Sequence, residues 1–148
     1  MSMVSVHVVG DTGVGKRRYL SSFGRNTRDR FRPYTYSILD KAVTFTFSVS
    51  STLKELKEHK ERVDVYHLLY SKSGLKTAQL WIDAIREKDP DVPIYFILTE
   101  YRFCEENMEF IHRNIKYIRS LNTDMVLCLF FENNYGLGDA MHKWVSTH

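Results

Sequence analysis

Residues 4–20 read VSVHVVGDTGVGKRRYL. The apolar run Val4–Val9 ends at glycine, the pattern of a buried strand. Gly10-Asp11-Thr12-Gly13-Val14-Gly15-Lys16 follows, and Lys16–Phe23 has helical character up to a stop at Gly24. A strand, a G-x-x-x-x-G-K loop and a helix in that order make a phosphate-binding loop, in which backbone N–H groups and the lysine cradle phosphate oxygens. The pattern asks for Ser or Thr after the lysine, as a magnesium ligand, and here Arg17 stands in that place.

The rest of the chain continues the alternation that this opening sets. Tyr34–Leu39 and Ala42–Val49 read as strands joined by a turn at Asp40-Lys41. In the second, Val43, Phe45, Phe47 and Val49 alternate with Thr44, Thr46 and Ser48, so one face is buried. Thr52-Leu53-Lys54-Glu55 is a capping box opening a charged helix to about Arg62. Val63–Tyr70 is the next strand, and Leu75, Ala78, Ile82 and Ile85 place a helix over Leu75–Lys88. Pro90 and Pro93 bound a loop before the strand Ile94–Leu98. Met108, Ile111, Ile115 and Ile118 share a helix face, Met125–Phe130 is a last strand, and Leu137, Met141, Trp144 and Val145 stripe a last helix.

The order β-α-β-β-α-β-α-β-α-β-α predicts a three-layer α/β fold. It has a six-stranded mixed sheet, about five helices and one antiparallel hairpin at an edge. With 148 residues the chain forms a single domain, 1–148. Hydrophobic residues make up 43% and charged residues 26%, ordinary for a globular protein. Apolar runs such as Ile94–Leu98 are far too short to cross a membrane. No signal peptide is evident, Ser2 does not suit N-myristoylation, and Val145-Ser146-Thr147-His148 is no prenylation box. The expectation is a cytoplasmic protein without a lipid anchor.

Charge is uneven. Between Lys16 and Arg32, seven Lys and Arg residues stand against Asp29, a net +6, which leaves −3 for the rest of a +3 chain. Arg28, Arg30 and Arg32 lie among Phe31, Tyr34 and Tyr36, and arginine with aromatics is how interface hot spots are built. An acidic protein surface is the expected partner of this stretch, and an anionic membrane or nucleic acid is the alternative. No nucleic-acid recognition motif accompanies it. Cys104 and Cys128 have no metal-type spacing, nor do the six histidines, and no metal is expected. Cys128 falls in an apolar run and reads as a buried thiol. His7 and His67 fall in strands and read as packed, hydrogen-bonded groups. No Ser–His–Asp or paired-carboxylate arrangement is visible, so no catalytic residue is assigned.

Gly10–Lys16, together with WIDAIREKDPDVPIYFIL at 81–98 and GLGDAMHKWV at 136–145, resembles the Ras/Rab small GTPase family over nearly the whole chain. The resemblance implies a small-GTPase-like fold and fixes where that family's other motifs belong. D-x-x-G-Q, which serves magnesium, the γ-phosphate and the attacking water, is replaced by Ser50-Ser51-Thr52-Leu53-Lys54-Glu55. The guanine-reading N-K-x-D is replaced by Thr99-Glu100-Tyr101-Arg102, and Arg102 can only donate where the family's Asp accepts. S-A-K becomes Phe130-Phe131-Glu132. Thr35 stands near the place of a switch threonine.

The resemblance therefore implies a degenerate member, a pseudoGTPase. It would act as a nucleotide-independent interaction module, an adaptor or complex subunit, without GTP hydrolysis. Its partner surface would be the basic loop where the family has its first switch. The alternative is a nucleotide-binding switch with altered base preference and little hydrolysis. No cofactor is expected. A phosphate, or a weakly held nucleotide without magnesium, is the remaining option at Gly10, Gly13, Gly15, Lys16 and Arg17, with the Arg17 guanidinium in the metal's place.

Overall fold

A computed structural model describes residues 2–23, 33–38 and 40–148. Six strands form one sheet: β1 (Ser2–Val9), β2 (Tyr34–Ile38), β3 (Lys41–Ser50), β4 (Val65–Tyr70), β5 (Ile94–Glu100) and β6 (Met125–Phe130). Their spatial order is β2-β3-β1-β4-β5-β6. Every neighbouring pair is parallel except β2 with β3, the antiparallel edge hairpin. Among the described residues there are five α-helices: α1 (Lys16–Ser21), α2 (Leu53–Glu58), α3 (Ala78–Lys88), α4 (Glu105–Ser120) and α5 (Asp139–Thr147).

The alternation along each strand decides the layers. Val4, Val6 and Val8 of β1, with Tyr95 and Ile97 of β5, face a core closed by Tyr19 of α1 and Ala140, Met141 and Val145 of α5. Ile94, Phe96 and Leu98 of the same β5 point the other way. They meet Leu56 of α2, Trp81, Ile82 and Ile85 of α3, and Ile118 of α4. Two cores on opposite faces of one sheet explain why β4 is buried at every position. A parallel strand covered on both sides has no solvent face to keep polar.

The local differences from the sequence reading have local causes. Lys41 stands in β3 opposite Ile38, so it is a strand residue rather than half of an Asp40-Lys41 turn. The helix expected at Leu75 begins as a 3₁₀ turn over Lys72–Thr77 and becomes α-helical only at Ala78. α2 stops at Glu58, because His59 is extended with φ −70° and ψ 115°. The capping box does form: the Glu55 N–H donates to Thr52 Oγ1 at 3.1 Å, and the Ser51 N–H donates to Glu55 Oε1 at 3.0 Å. β4 starts at Val65 rather than Val63, since Asp64 leaves the strand to accept the Ser5 N–H at 2.8 Å. Cys128 is partly rather than fully buried, on β6 at the edge of the sheet.

Candidate functional site

β1 is where the strand order reverses, with β3 on one side and β4 on the other. Open α/β sheets bind ligands outside the carboxyl ends of their strands at such a point. The loop Gly10–Lys16 leaves β1 there. Gly10 has φ 143°, and a Cβ on it would lie 2.3 Å from the Leu69 carbonyl oxygen, so no other residue fits. Gly15 has φ 95°, and its Cβ would lie 2.9 Å from the ring of Phe131.

The loop is closed by its own chain. Lys16 is only 7% exposed, and its ammonium donates to the carbonyls of Gly10 at 2.6 Å and Asp11 at 2.7 Å. Burial lowers the Lys16 pKa, and the charges of Asp11 and Glu55 oppose that shift. The Asp11 carboxylate reaches outward to the start of α3, where it accepts the Trp81 indole N–H at 3.0 Å and the Thr77 hydroxyl. Thr99, at the end of β5, lies with its hydroxyl 2.6 Å from the Val14 carbonyl and ties the loop to the sheet.

Arg17 and Arg18 follow in the first turn of α1. Arg17 is exposed and has no hydrogen bond or ion pair among the described residues. Arg18 instead stands over two rings, its guanidinium carbon 5.2 Å from the Tyr101 centroid and 5.5 Å from that of Phe131. Those rings belong to the segments after β5 and β6, which stay paired beyond the strands. The Phe131 N–H donates to the Glu100 carbonyl at 3.0 Å, and the Glu132 N–H to that of Tyr101 at 2.7 Å. Asn107, 6% exposed, donates to the Arg102 carbonyl at 2.6 Å and accepts from Lys72 Nζ at 2.9 Å, which fixes the turn into α4. Beside it Phe103 packs on Phe130 and Tyr135, with centroids 5.1 and 5.4 Å away. Tyr101, Phe103 and Tyr135 are all about half exposed.

No family model and no curated protein matches this sequence. Among solved structures the chain is similar to Methanosarcina barkeri Roco2 RocCORdC bound to GDP. The TM-score is 0.69 at 18% identity, and the match covers 99% of this chain and 49% of that one. This chain has a small-GTPase-like fold. At that identity the likeness is one of fold, and the chain spans about half the length of the structure it matches.

Within this small-GTPase-like fold, the groups that a magnesium–guanine nucleotide requires can be sought in place. Arg17 supplies no metal ligand. Ser50, where the magnesium carboxylate would be sought, points its hydroxyl to His7 Nε2 at 2.8 Å. Arg102 is exposed and offers donors only. Among the described residues, no three of His, Cys, Asp or Glu are grouped to hold a metal ion. His7 and His67 are buried, His7 between Ser48 and Ser50 and His67 against the Tyr19 hydroxyl at 2.9 Å.

The expected partner surface divides. Arg28, Arg30 and Arg32 lie outside the described residues. Tyr34 and Tyr36 lie on the inward face of β2 and pack against the α1/α5 core. Tyr34 meets Phe23 with centroids 5.0 Å apart, and the Tyr36 hydroxyl bonds His142 Nδ1 at 2.7 Å. Thr35 pairs with Thr44, hydroxyl to hydroxyl at 3.0 Å. Sequence reasoning missed the group Arg18–Tyr101–Phe131 and the neighbouring Phe103 and Tyr135. Their signal was present as aromatics directly after two apolar strands, but motif spacing drew attention to Arg17 instead.

Proposed function

We propose that this chain is a pseudoGTPase, a small-GTPase-like domain serving as a nucleotide-independent protein-interaction module within a larger assembly. The observation that carries the reading is the closure of the Gly10–Lys16 loop on its own chain. The Lys16 ammonium is held by two backbone carbonyls, and the Asp11 carboxylate by Trp81 and Thr77. With two of the three ammonium donors and both carboxylate oxygens engaged within the chain, the bracing supports reading the loop as a structural turn. The missing base-reading and metal-holding groups point the same way, and the reading includes no GTP hydrolysis. No helix among the described residues is long and apolar enough to cross a membrane, and a cytoplasmic location goes with the proposal.

The partner would be a protein, met through the basic stretch that includes Arg28, Arg30 and Arg32 and through the edge strand beside it. The half-exposed rings Tyr101, Phe103 and Tyr135, next to Arg18, add an arginine–aromatic surface of hot-spot composition. Denaturing the purified protein and chromatographing the supernatant tests the reading. Absence of stoichiometric GDP, GTP or ATP is expected, and one equivalent of any of them would favour the nucleotide-binding alternative.

A further inference from the structure

The guanidinium of Arg18, the rings of Tyr101 and Phe131, and the turn at Gly15 form one contiguous group at the carboxyl ends of β1, β5 and β6. Both ring-bearing segments are pinned by backbone pairing, Phe131 to Glu100 and Glu132 to Tyr101. The group therefore sits on a rigid edge at the place where such sheets take ligands. A guanidinium is flat and stacks on aromatic faces, and so does a nucleobase. We propose that Arg18 is an internal plug: its guanidinium occupies a ring site suited to the base of a nucleoside and keeps that base out.

This inference rests on the nucleotide-independent reading and supplies a physical cause for it. It also sets the selectivity of the opened site. Arg102, next to Tyr101 in the chain, has only donors and cannot accept from the N1–H and N2–H2 of guanine, so stacking on the flat face sets the affinity. Probes without phosphate leave the phosphate loop out of the test, whose reading then rests on the rings alone.

The test titrates the full chain with adenosine and with guanosine, probes that carry no phosphate. The ring-proton resonances of Tyr101 and Phe131 are followed. Arg18 is exposed, so Arg18→Ala is expected to keep the wild-type backbone amide spectrum, and Arg18→Gln is a second variant should it not. Wild type is expected to show no saturable shift. Arg18→Ala is expected to bind both nucleosides saturably and with similar affinity, at least about tenfold above the upper bound that the wild-type titration sets, the scale of one base–ring stack. Adding Phe131→Leu to that variant should abolish the gain. Folded Arg18→Ala and Arg18→Gln that bind no better than wild type, or bind with both rings unmoved, overturn the plug and leave the proposed function standing. Wild type that already binds guanosine at these rings overturns both.

Discussion

The imidazole of His7 lies flat against that of His59, with ring centroids 3.9 Å apart and planes 16° from parallel. His7 is fully buried, and its two ring nitrogens meet Ser48 and Ser50 at 2.6 and 2.8 Å. Burial first, then the charges of His59 and Lys88, push its pKa down to about 3, against an opposing pull from Asp89. On the other face of the sheet, burial alone takes His67 down to about 3. Both rings are neutral in the folded protein, whereas the unfolded chain protonates them near pH 6.5. Their contribution is therefore complete above pH 6.5 and is lost as pH falls from there toward 3. Each histidine steepens the loss by about 1.4 kcal/mol per pH unit. Urea unfolding between pH 7 and pH 4.5 should show this fall, and His67→Gln should flatten it. Stability that holds level over that window would contradict the assignment.

Lys16→Met should lower stability by about 2–3 kcal/mol, because it strands two backbone acceptors, those of Gly10 and Asp11. Trp81→Phe should cost about 1–2 kcal/mol by removing the indole donor to Asp11. Under the proposed function neither variant changes partner binding at a temperature where it is folded. Chemical denaturation beside a pull-down with the same proteins separates the two effects. Loss of partners from folded Lys16→Met would tie binding to the phosphate loop.

The glycines of that loop should behave unequally. At Gly10 an added methyl meets the Leu69 carbonyl at 2.3 Å, while at Gly13 it meets nothing within 4 Å. Gly13→Ala pays only for its positive φ, about 1 kcal/mol, whereas Gly10→Ala must move the β4 backbone and should leave little soluble protein. Melting temperatures of the two variants give the comparison, and equal losses would refute it.

The layers were legible in the sequence because strand alternation and helix spacing report burial directly. Val43, Phe45 and Phe47 announced one buried face, and the edge hairpin followed from two strands with no helix between them. The bracing of the loop was not legible. Asp11 and Trp81 are 70 residues apart, and no periodicity announces that one will accept from the other. Arg17 drew attention because a motif names its position. Which arginine meets the rings is decided by how the segments after β5 and β6 pair, and that pairing is tertiary. Tyr36 stood in the sequence as a candidate partner anchor, and its bond to His142 was not legible there, since 106 residues separate the two.

Partner binding should respond differently to charge and to shape. Reversing Arg28, Arg30 and Arg32 together should slow association at low salt, by about tenfold or more. Tyr36→Phe should leave association unchanged and cost about 1 kcal/mol of fold stability through the lost bond to His142. Replacing Phe103 and Tyr135 with Ala should speed dissociation if the exposed rings are buried by the partner. Surface-bound kinetics against the captured partner measure all three. A charge-reversed protein with unaltered association would place the contact elsewhere.

The central claim, a small-GTPase-like domain that works without nucleotide, is tested most directly by thermal melting. The protein is heated with millimolar GTP, GDP or ATP, with magnesium and with EDTA. A ligand that binds only the folded state stabilises it by about 2.7 kcal/mol at a hundredfold excess over its Kd, several degrees in Tm for a domain of this size. The account predicts a Tm unchanged by any of the three, with or without magnesium. A rise of several degrees with GTP or GDP that EDTA abolishes would contradict it.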